Sequence, residues 1–227
     1  YMVGLTNTNL ICYMNSVIQS LVSIEQYRVL IDQVYSLSKN GVTISSLIST
    51  LHWYQSEIVS GKFLSLSMEK MEKVIFERMP HFIRGVQQDA HEFLLLLISC
   101  IEDDIKLIDK EILEIPKLPE RPTPLDLVKQ YDTLFYGAIR HKISCNSCGS
   151  ASYQNEKFNH ITVALSGDEA STYDGEDLDS CLNRYFSIEQ LPISDEWKCS
   201  NCKCIREATK TPFIERLPLL LIIHLSR

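Results

Sequence analysis

The 227-residue chain carries 22 Lys and Arg against 29 Asp and Glu, a formal net charge of −7, with 45% hydrophobic and 22% charged residues. That is an ordinary globular composition, with apolar material for one large domain or two modest ones. The acidic balance argues against a nucleic-acid partner, whose recognition rests on a basic face, and fits a protein that receives a basic partner.

Residues 1–110 read as mostly helical. A helix is expected to start near Cys12 and to bury Val17, Ile18 and Leu21. Exposed N–H groups and the helix dipole stabilise a thiolate in a first helical turn, which makes such a cysteine either a nucleophile or simply a packing residue. Residues 43–60 and 66–77 also favour helix. Ala90, Phe93, Leu94, Leu97, Ile98 and Ile101 recur at three- and four-residue steps and mark one buried face. The opposite side is expected to carry Glu92, Glu102, Asp103 and Asp104. The apolar runs Phe93–Ile98 and Leu217–Ile223 are far too short to span a bilayer, and no signal-peptide pattern opens the sequence, so no membrane association is expected.

Pro116, Pro119, Pro122 and Pro124 interrupt regular structure, so residues 114–125 read as a linker or surface loop. Beyond them the pattern shifts toward strands at His141–Ser144, Phe158–Leu165 and Phe213–Leu225. The acidic, small-residue stretch Ser166–Asp177 reads as an exposed loop.

Cys145-Asn-Ser-Cys148 and Cys199-Ser-Asn-Cys202 form two C-x-x-C pairs within this strand-rich half. Two such turns aim four thiolates at one point, the tetrahedral cage that structural Zn²⁺ prefers, and four protein ligands leave no open position for a substrate. The alternatives are ordinary buried or free cysteines, or a redox pair; neither pair opens a helix after a strand, as a redox pair would. Cys204 is a competing ligand to Cys202. Paired knuckles suggest metal in a reducing compartment rather than disulfides, so cytoplasm or nucleus is expected.

The segment from Gly4 through Asn7, Cys12, Ser16 and Gln19 resembles the Cys box of the ubiquitin-specific proteases, G-L-x-N-x-G-x-T-C-Y-M-N-S-x-x-Q. Gln87-Gln88-Asp89-Ala90-His91-Glu92-Phe93-Leu94 is similar to that family's Q-Q-D-A-H-E-F-L block. Leu217 to Arg227, with His224, is similar to its L-P-x-x-L-x-I-H-L-K-R strand. The cysteine pairs fall between these blocks, where the family places its zinc-binding fingers. The resemblance implies an α+β, papain-like cysteine protease architecture: a helical thumb over 1–113, the Pro-rich loop 114–125, and zinc-ribbon β fingers with the first strands of an incomplete palm over 126–227.

It further implies Cys12 as nucleophile, Asn7 as donor to the oxyanion, and Gln87, Asp89 and Glu92 as contacts for the ubiquitin tail, with Cys145, Cys148, Cys199 and Cys202 holding Zn²⁺. Asp89 and Glu92 also suit the start of a helix through its dipole. The family's histidine at the position of His91 is not catalytic, and His224 reads as structural. Ubiquitin and a ubiquitinated protein are the expected partners, with room for an activating protein partner. Two departures stand out. Asn9 and Ile11 replace the usual glycine and threonine; Asn9 is expected to keep the left-handed turn, and Ile11 to bend or slow the oxyanion loop. The family's catalytic histidine and its Asp or Asn partner have no counterpart in these residues, so the base is expected in sequence not shown; a catalytically inactive ubiquitin-binding or scaffold relative is the alternative.

Overall fold

The computed structural model describes residues 3–114, 125–165, 177–193 and 197–226. The chain divides into two compact units, through Tyr131 and from Asp132. The Pro-rich segment 115–124 and most of the acidic stretch, 166–176, lie outside the described residues.

The first unit opens with β1 (Gly4–Leu5), α1 (Cys12–Ser23), α2 (Glu25–Ser36) and α3 (Ser46–Ser60). These are followed by β2 (Ser65–Leu66), α4 (Glu69–Arg78), α5 (Ala90–Glu114) and the start of α6 (Leu125–Phe135). Along α5 the side chains of Phe93, Leu97, Ile98, Ile101, Ile105, Ile108 and Ile112 are buried. They repeat every three or four residues, so one continuous stripe faces the core; each contributes about 1.5–3 kcal/mol by leaving water. Val17, Ile18 and Leu21 of α1 are buried as well. β1 and β2 pair in parallel, with Gly4 N–H donating to Leu64 O and Thr6 N–H to Leu66 O, both at 2.9 Å.

The helical periodicity misplaces one residue. Asp104, expected on the polar side of its helix, is 3% exposed. Its Oδ2 accepts from Ser45 Oγ at 2.5 Å and its Oδ1 from Arg78 at 2.7 Å. Ser45 meanwhile caps α3, accepting from Ile48 N–H at 3.1 Å. A single buried carboxylate therefore joins α5 to the start of α3 and the end of α4, and its two charge-assisted bonds offset its desolvation.

The second unit holds the end of α6, β3 (Gly137–Cys145), β4 (Ala151–Phe158), β5 (His160–Ala164) and α7 (Leu178–Tyr185). Three further strands follow: β6 (Glu189–Leu191), β7 (Ala208–Arg216) and β8 (Ile222–Ser226). β3, β4, β6 and β7 form an antiparallel sheet in the order β4-β3-β7-β6, whereas β5 and β8 pair in parallel. The run Phe213–Leu225, expected as one strand, is thus split between two sheets, interrupted by Leu217–Leu221. Leu219 and Leu220 N–H there donate to the Thr133 and Leu134 carbonyls of α6. Helices α6 and α7 also stand in a half expected to be strands. Ile139, Phe158, Ile161, Val163 and Cys181 form its small core.

Gly137 is obligatory at the start of β3. A Cβ there would lie 2.4 Å from the Phe158 ring and 2.7 Å from Arg216 O, both well inside van der Waals contact. Gly137 is also the register partner of Phe158, so the first rung of the β3–β4 ladder exists only because the side chain is missing.

Candidate functional site

Cys12 is the first residue of α1 and is exposed to solvent. The helix has no side-chain cap and no acidic residue in its first turn, so its leading N–H groups stay open to a negatively charged ligand. Behind the thiol, the Tyr13 ring stacks on Phe82 with centroids 5.8 Å apart and meets Phe93 edge-on at 5.4 Å. Phe93 follows Glu92, so this aromatic trio brings α1 against the first turn of α5. Such contacts add about 0.5–1.5 kcal/mol each beyond area burial.

The loop before Cys12 is held by its own backbone and by α1. Asn15 Nδ2 donates to Thr6 O at 3.0 Å and Gln19 Nε2 to Val3 O at 2.7 Å. Asn7 Oδ1 accepts from Ile11 N–H at 2.9 Å. The carbonyl side of the Asn7 amide is thereby committed to the loop, and its NH₂ side remains as the donor face.

Both sequence departures acquire a structural account. Ile11 is buried in the core at 1% exposed, while its N–H orients Asn7. The left-handed residue is Leu10, at φ 56°, and not Asn9. Asn9 instead donates from Nδ2 to Glu72 Oε2 at 2.9 Å.

Of the candidate tail-binding residues, Gln87, Asp89 and Glu92 are all exposed, in and just after the loop that leads into α5. Asp89 Oδ1 accepts from His91 N–H at 2.6 Å and Glu92 N–H at 3.2 Å, so it caps α5. Its helix-starting role is therefore present whatever else it binds. His224 lies in β8 opposite Thr162 of β5, with Nδ1 3.5 Å from the Thr162 hydroxyl.

The four cysteines of the paired knuckles converge in the second unit, their sulfurs all within 4.8 Å of one another. The two turns are built alike. Cys145 N–H donates to Ser150 O and Gly149 N–H to Cys145 O; Cys199 N–H donates to Cys204 O and Lys203 N–H to Cys199 O. The residue after each second cysteine is left-handed, Gly149 at φ 70° and Lys203 at φ 56°. Tetrahedral zinc with sulfurs at about 2.3 Å requires S···S separations of about 3.8 Å. Cys148 and Cys199 already stand 3.7 Å apart. Cys202 N–H donates to Cys199 Sγ at 3.3 Å, the kind of bond that supports a thiolate.

The Asn201 side chain, the Ser150 backbone and Cys202 hold the Cys148 thiol down to about 6. The bond to Cys148 and burial push Cys202 up to about 12. Four thiols packed this closely would bind a dication as thiolates, releasing their protons. The residues present fit a zinc ion. Cys204 is outside the four-sulfur group: its carbonyl closes the second knuckle, and Arg206 pairs with its thiol and with that of Cys202.

Sequence reasoning passed over Glu72, Arg84 and Leu10. Glu72 sits beside Met71 on the buried stripe of α4, and an acidic residue in a charged-and-apolar helix gives no outward sign that it faces inward.

Residues 3–227 match the family model described as ubiquitin carboxyl-terminal hydrolase. The chain is 29% identical over 231 residues to ubiquitin carboxyl-terminal hydrolase 26 of Arabidopsis thaliana, covering 99% of this chain and 18% of that protein. It is 24% identical over 254 residues to human ubiquitin carboxyl-terminal hydrolase 3, covering 99% of this chain and 49% of that one. The chain therefore spans half or less of the length of these curated relatives. Among solved structures, the SAGA Ubp8/Sgf11/Sus1/Sgf73 DUB module bound to ubiquitin aldehyde matches all of this chain and 47% of its own, at TM-score 0.72 and 20% identity, which establishes the shared fold. The chain belongs to the ubiquitin carboxyl-terminal hydrolase family.

Proposed function

We propose that this chain is the nucleophile-bearing and ubiquitin-gripping part of a thiol deubiquitinase that cleaves the peptide or isopeptide bond after the ubiquitin C-terminus. The observation that carries the reading is Cys12, exposed at the open N-terminus of α1 beside a loop that commits the Asn7 amide with its donor face free. In the reaction, the Cys12 sulfur bonds to the tail carbonyl carbon and the electron pair moves to oxygen. The Asn7 N–H stabilises that oxyanion, a contribution whose loss typically costs about 10²–10³ in rate. Collapse expels the protonated amine and leaves a thioester, which water hydrolyses.

The general base is assigned to sequence outside these 227 residues; the greater length of the curated relatives is consistent with this. Gln87, Asp89 and Glu92 receive the tail, the carboxylates pairing with its basic side chains. Cys145, Cys148, Cys199 and Cys202 hold a structural Zn²⁺ at the turn end of the β3–β4 hairpin. The thiolate chemistry suits a reducing compartment, cytoplasm or nucleus, and an activating protein partner is compatible with the DUB-module character of the structural neighbour.

The test is covalent capture of the full-length protein by ubiquitin bearing a C-terminal electrophile, followed by intact mass, beside Cys12→Ala. Capture that disappears in Cys12→Ala supports the assignment. A folded, zinc-loaded protein that binds ubiquitin without capture would instead identify an inactive scaffold relative.

A further inference from the structure

Glu72 is a charged residue buried to 1% exposure in the first turn of α4, and the reaction chemistry does not use it. Burying a carboxylate is costly unless charge-assisted partners compensate, so the identity of its partners is informative. Oε2 accepts from Asn9 Nδ2 at 2.9 Å and faces Arg84 Nε at 3.4 Å. Oε1 is buried with no hydrogen-bond partner.

The two partners come from the two segments that matter for the proposed chemistry. Asn9 lies midway between Asn7 and Cys12. Arg84 precedes Gly85, left-handed at φ 77°, in the loop that delivers Gln87 and Asp89.

The turn that Glu72 holds is strained. Leu10, next to Asn9, sits at φ 56°, which costs an L-residue roughly 1–2 kcal/mol. Such a conformation persists only when its surroundings over-determine it. Ile11 pins the far side of the turn through its buried side chain and its bond to Asn7. On the near side, Asn9 is tied to Glu72. The charge of Glu72 also reaches Tyr13, whose hydroxyl, pushed up mainly by burial, is pushed further by Glu72 and Cys12.

We propose that Glu72 is a positioning residue: through Asn9 it sets the turn that aims the Asn7 amide over Cys12, and through Arg84 it registers that turn against the tail-binding loop. This rests on the deubiquitinase reading above. It also explains why asparagine replaces the glycine usual at position 9, since only a side chain with a donor reaches the buried carboxylate.

The test compares Asn9→Ala, Arg84→Ala and Glu72→Gln with wild type in the full-length protein. Asn9 and Arg84 are peripheral to the core, so their variants keep the fold if Glu72→Gln does not. Two rates are measured: capture by ubiquitin carrying a C-terminal aldehyde, which forms a tetrahedral adduct, and alkylation of Cys12 by iodoacetamide, which needs no oxyanion donor. A misplacement near 1 Å costs on the order of 10² in rate. Asn9→Ala is expected to slow capture by about tenfold or more, while alkylation stays within about twofold of wild type. Arg84→Ala is expected to weaken the half-saturating ubiquitin concentration more than the maximal capture rate. Asn9→Gln, which retains the donor, is expected to recover part of the loss.

Folded Asn9→Ala captured at the wild-type rate, or capture and alkylation falling in equal proportion, overturns the positioning role. A wild-type protein that is not captured at all overturns the deubiquitinase reading instead, so the two failures are distinct.

Discussion

Arg78→Ala should destabilise the helical unit by an amount that a second substitution gives back. Asp104 is 3% exposed, and its two oxygens are bonded to Ser45 and Arg78 at 2.5 and 2.7 Å. Removing the guanidinium leaves a buried charge with only a neutral hydroxyl. Breaking one partner out of a buried pair costs about 3–5 kcal/mol. Arg78 is 40% exposed, so water enters the space it vacates and the lower end, about 3 kcal/mol, applies.

Arg78→Ala combined with Asp104→Asn keeps the bond to Ser45 and buries no charge. It should cost about 1 kcal/mol relative to wild type, the scale of one neutral hydrogen bond, and so be about 2 kcal/mol more stable than Arg78→Ala alone. Urea unfolding of the zinc-loaded protein by far-UV circular dichroism measures both. Acid gives an independent check on sign. Burial already pushes the Asp104 carboxyl up, against the lowering effects of Ser45 and Arg78. Loss of Arg78 pushes it further, so the folded state holds that proton more tightly than the unfolded one. The cost of Arg78→Ala must then shrink as pH falls and the carboxyl is protonated in both variants. If Asp104→Asn adds to the damage, or the cost is unchanged with pH, the lost energy is packing and the buried-charge account is wrong.

Gly137→Ala should cost about 3 kcal/mol, at the upper end for overpacking, because Phe158 is locked in a core and Arg216 O is backbone; pairing it with Phe158→Leu should recover part of that, and a cost under about 1 kcal/mol in denaturant unfolding would contradict the close approach. Leu10→Gly and Lys203→Gly should each raise stability by about 0.5–1 kcal/mol, since both positions are left-handed; a lower thermal midpoint in either refutes strain there. Burial pushes the Asp109 carboxyl up to about 6. Because the folded state holds that proton more tightly than the unfolded one, stability should fall as pH rises from about 4 to about 6, and Asp109→Asn should flatten that slope. Stripping with a chelator should release about one zinc per chain and loosen the β3–β7 sheet, as seen by amide exchange of β3; full protection after complete metal removal would argue against a structural ion.

The placement of the candidate site residues was legible in the sequence alone. Cys12, Asn7 and the two C-x-x-C pairs stand in short contiguous segments, where a helix start or a knuckle is a local event that neighbouring residues dictate. The buried stripe of α5 was legible for the same reason, because a helix fixes side-chain direction every 3.6 residues. Periodicity fails where an inward side chain is polar. Asp104 and Glu72 look like solvent-facing carboxylates in sequence, and only the approach of Arg78, Ser45, Asn9 and Arg84 from 12 to 63 residues away shows otherwise.

The left-handed turn likewise fell on Leu10 rather than Asn9. Intrinsic preference favours asparagine there, but the Asn9 side chain is drawn to a buried charge and the backbone strain passes to its neighbour. The split of Phe213–Leu225 between two sheets follows from α6, whose carbonyls take the N–H groups of Leu219 and Leu220. Local pattern decided which segments carry the candidate nucleophile, donor and metal ligands. Long-range pairing of buried charge and backbone, which no local window contains, decided how the turn before Cys12 is held.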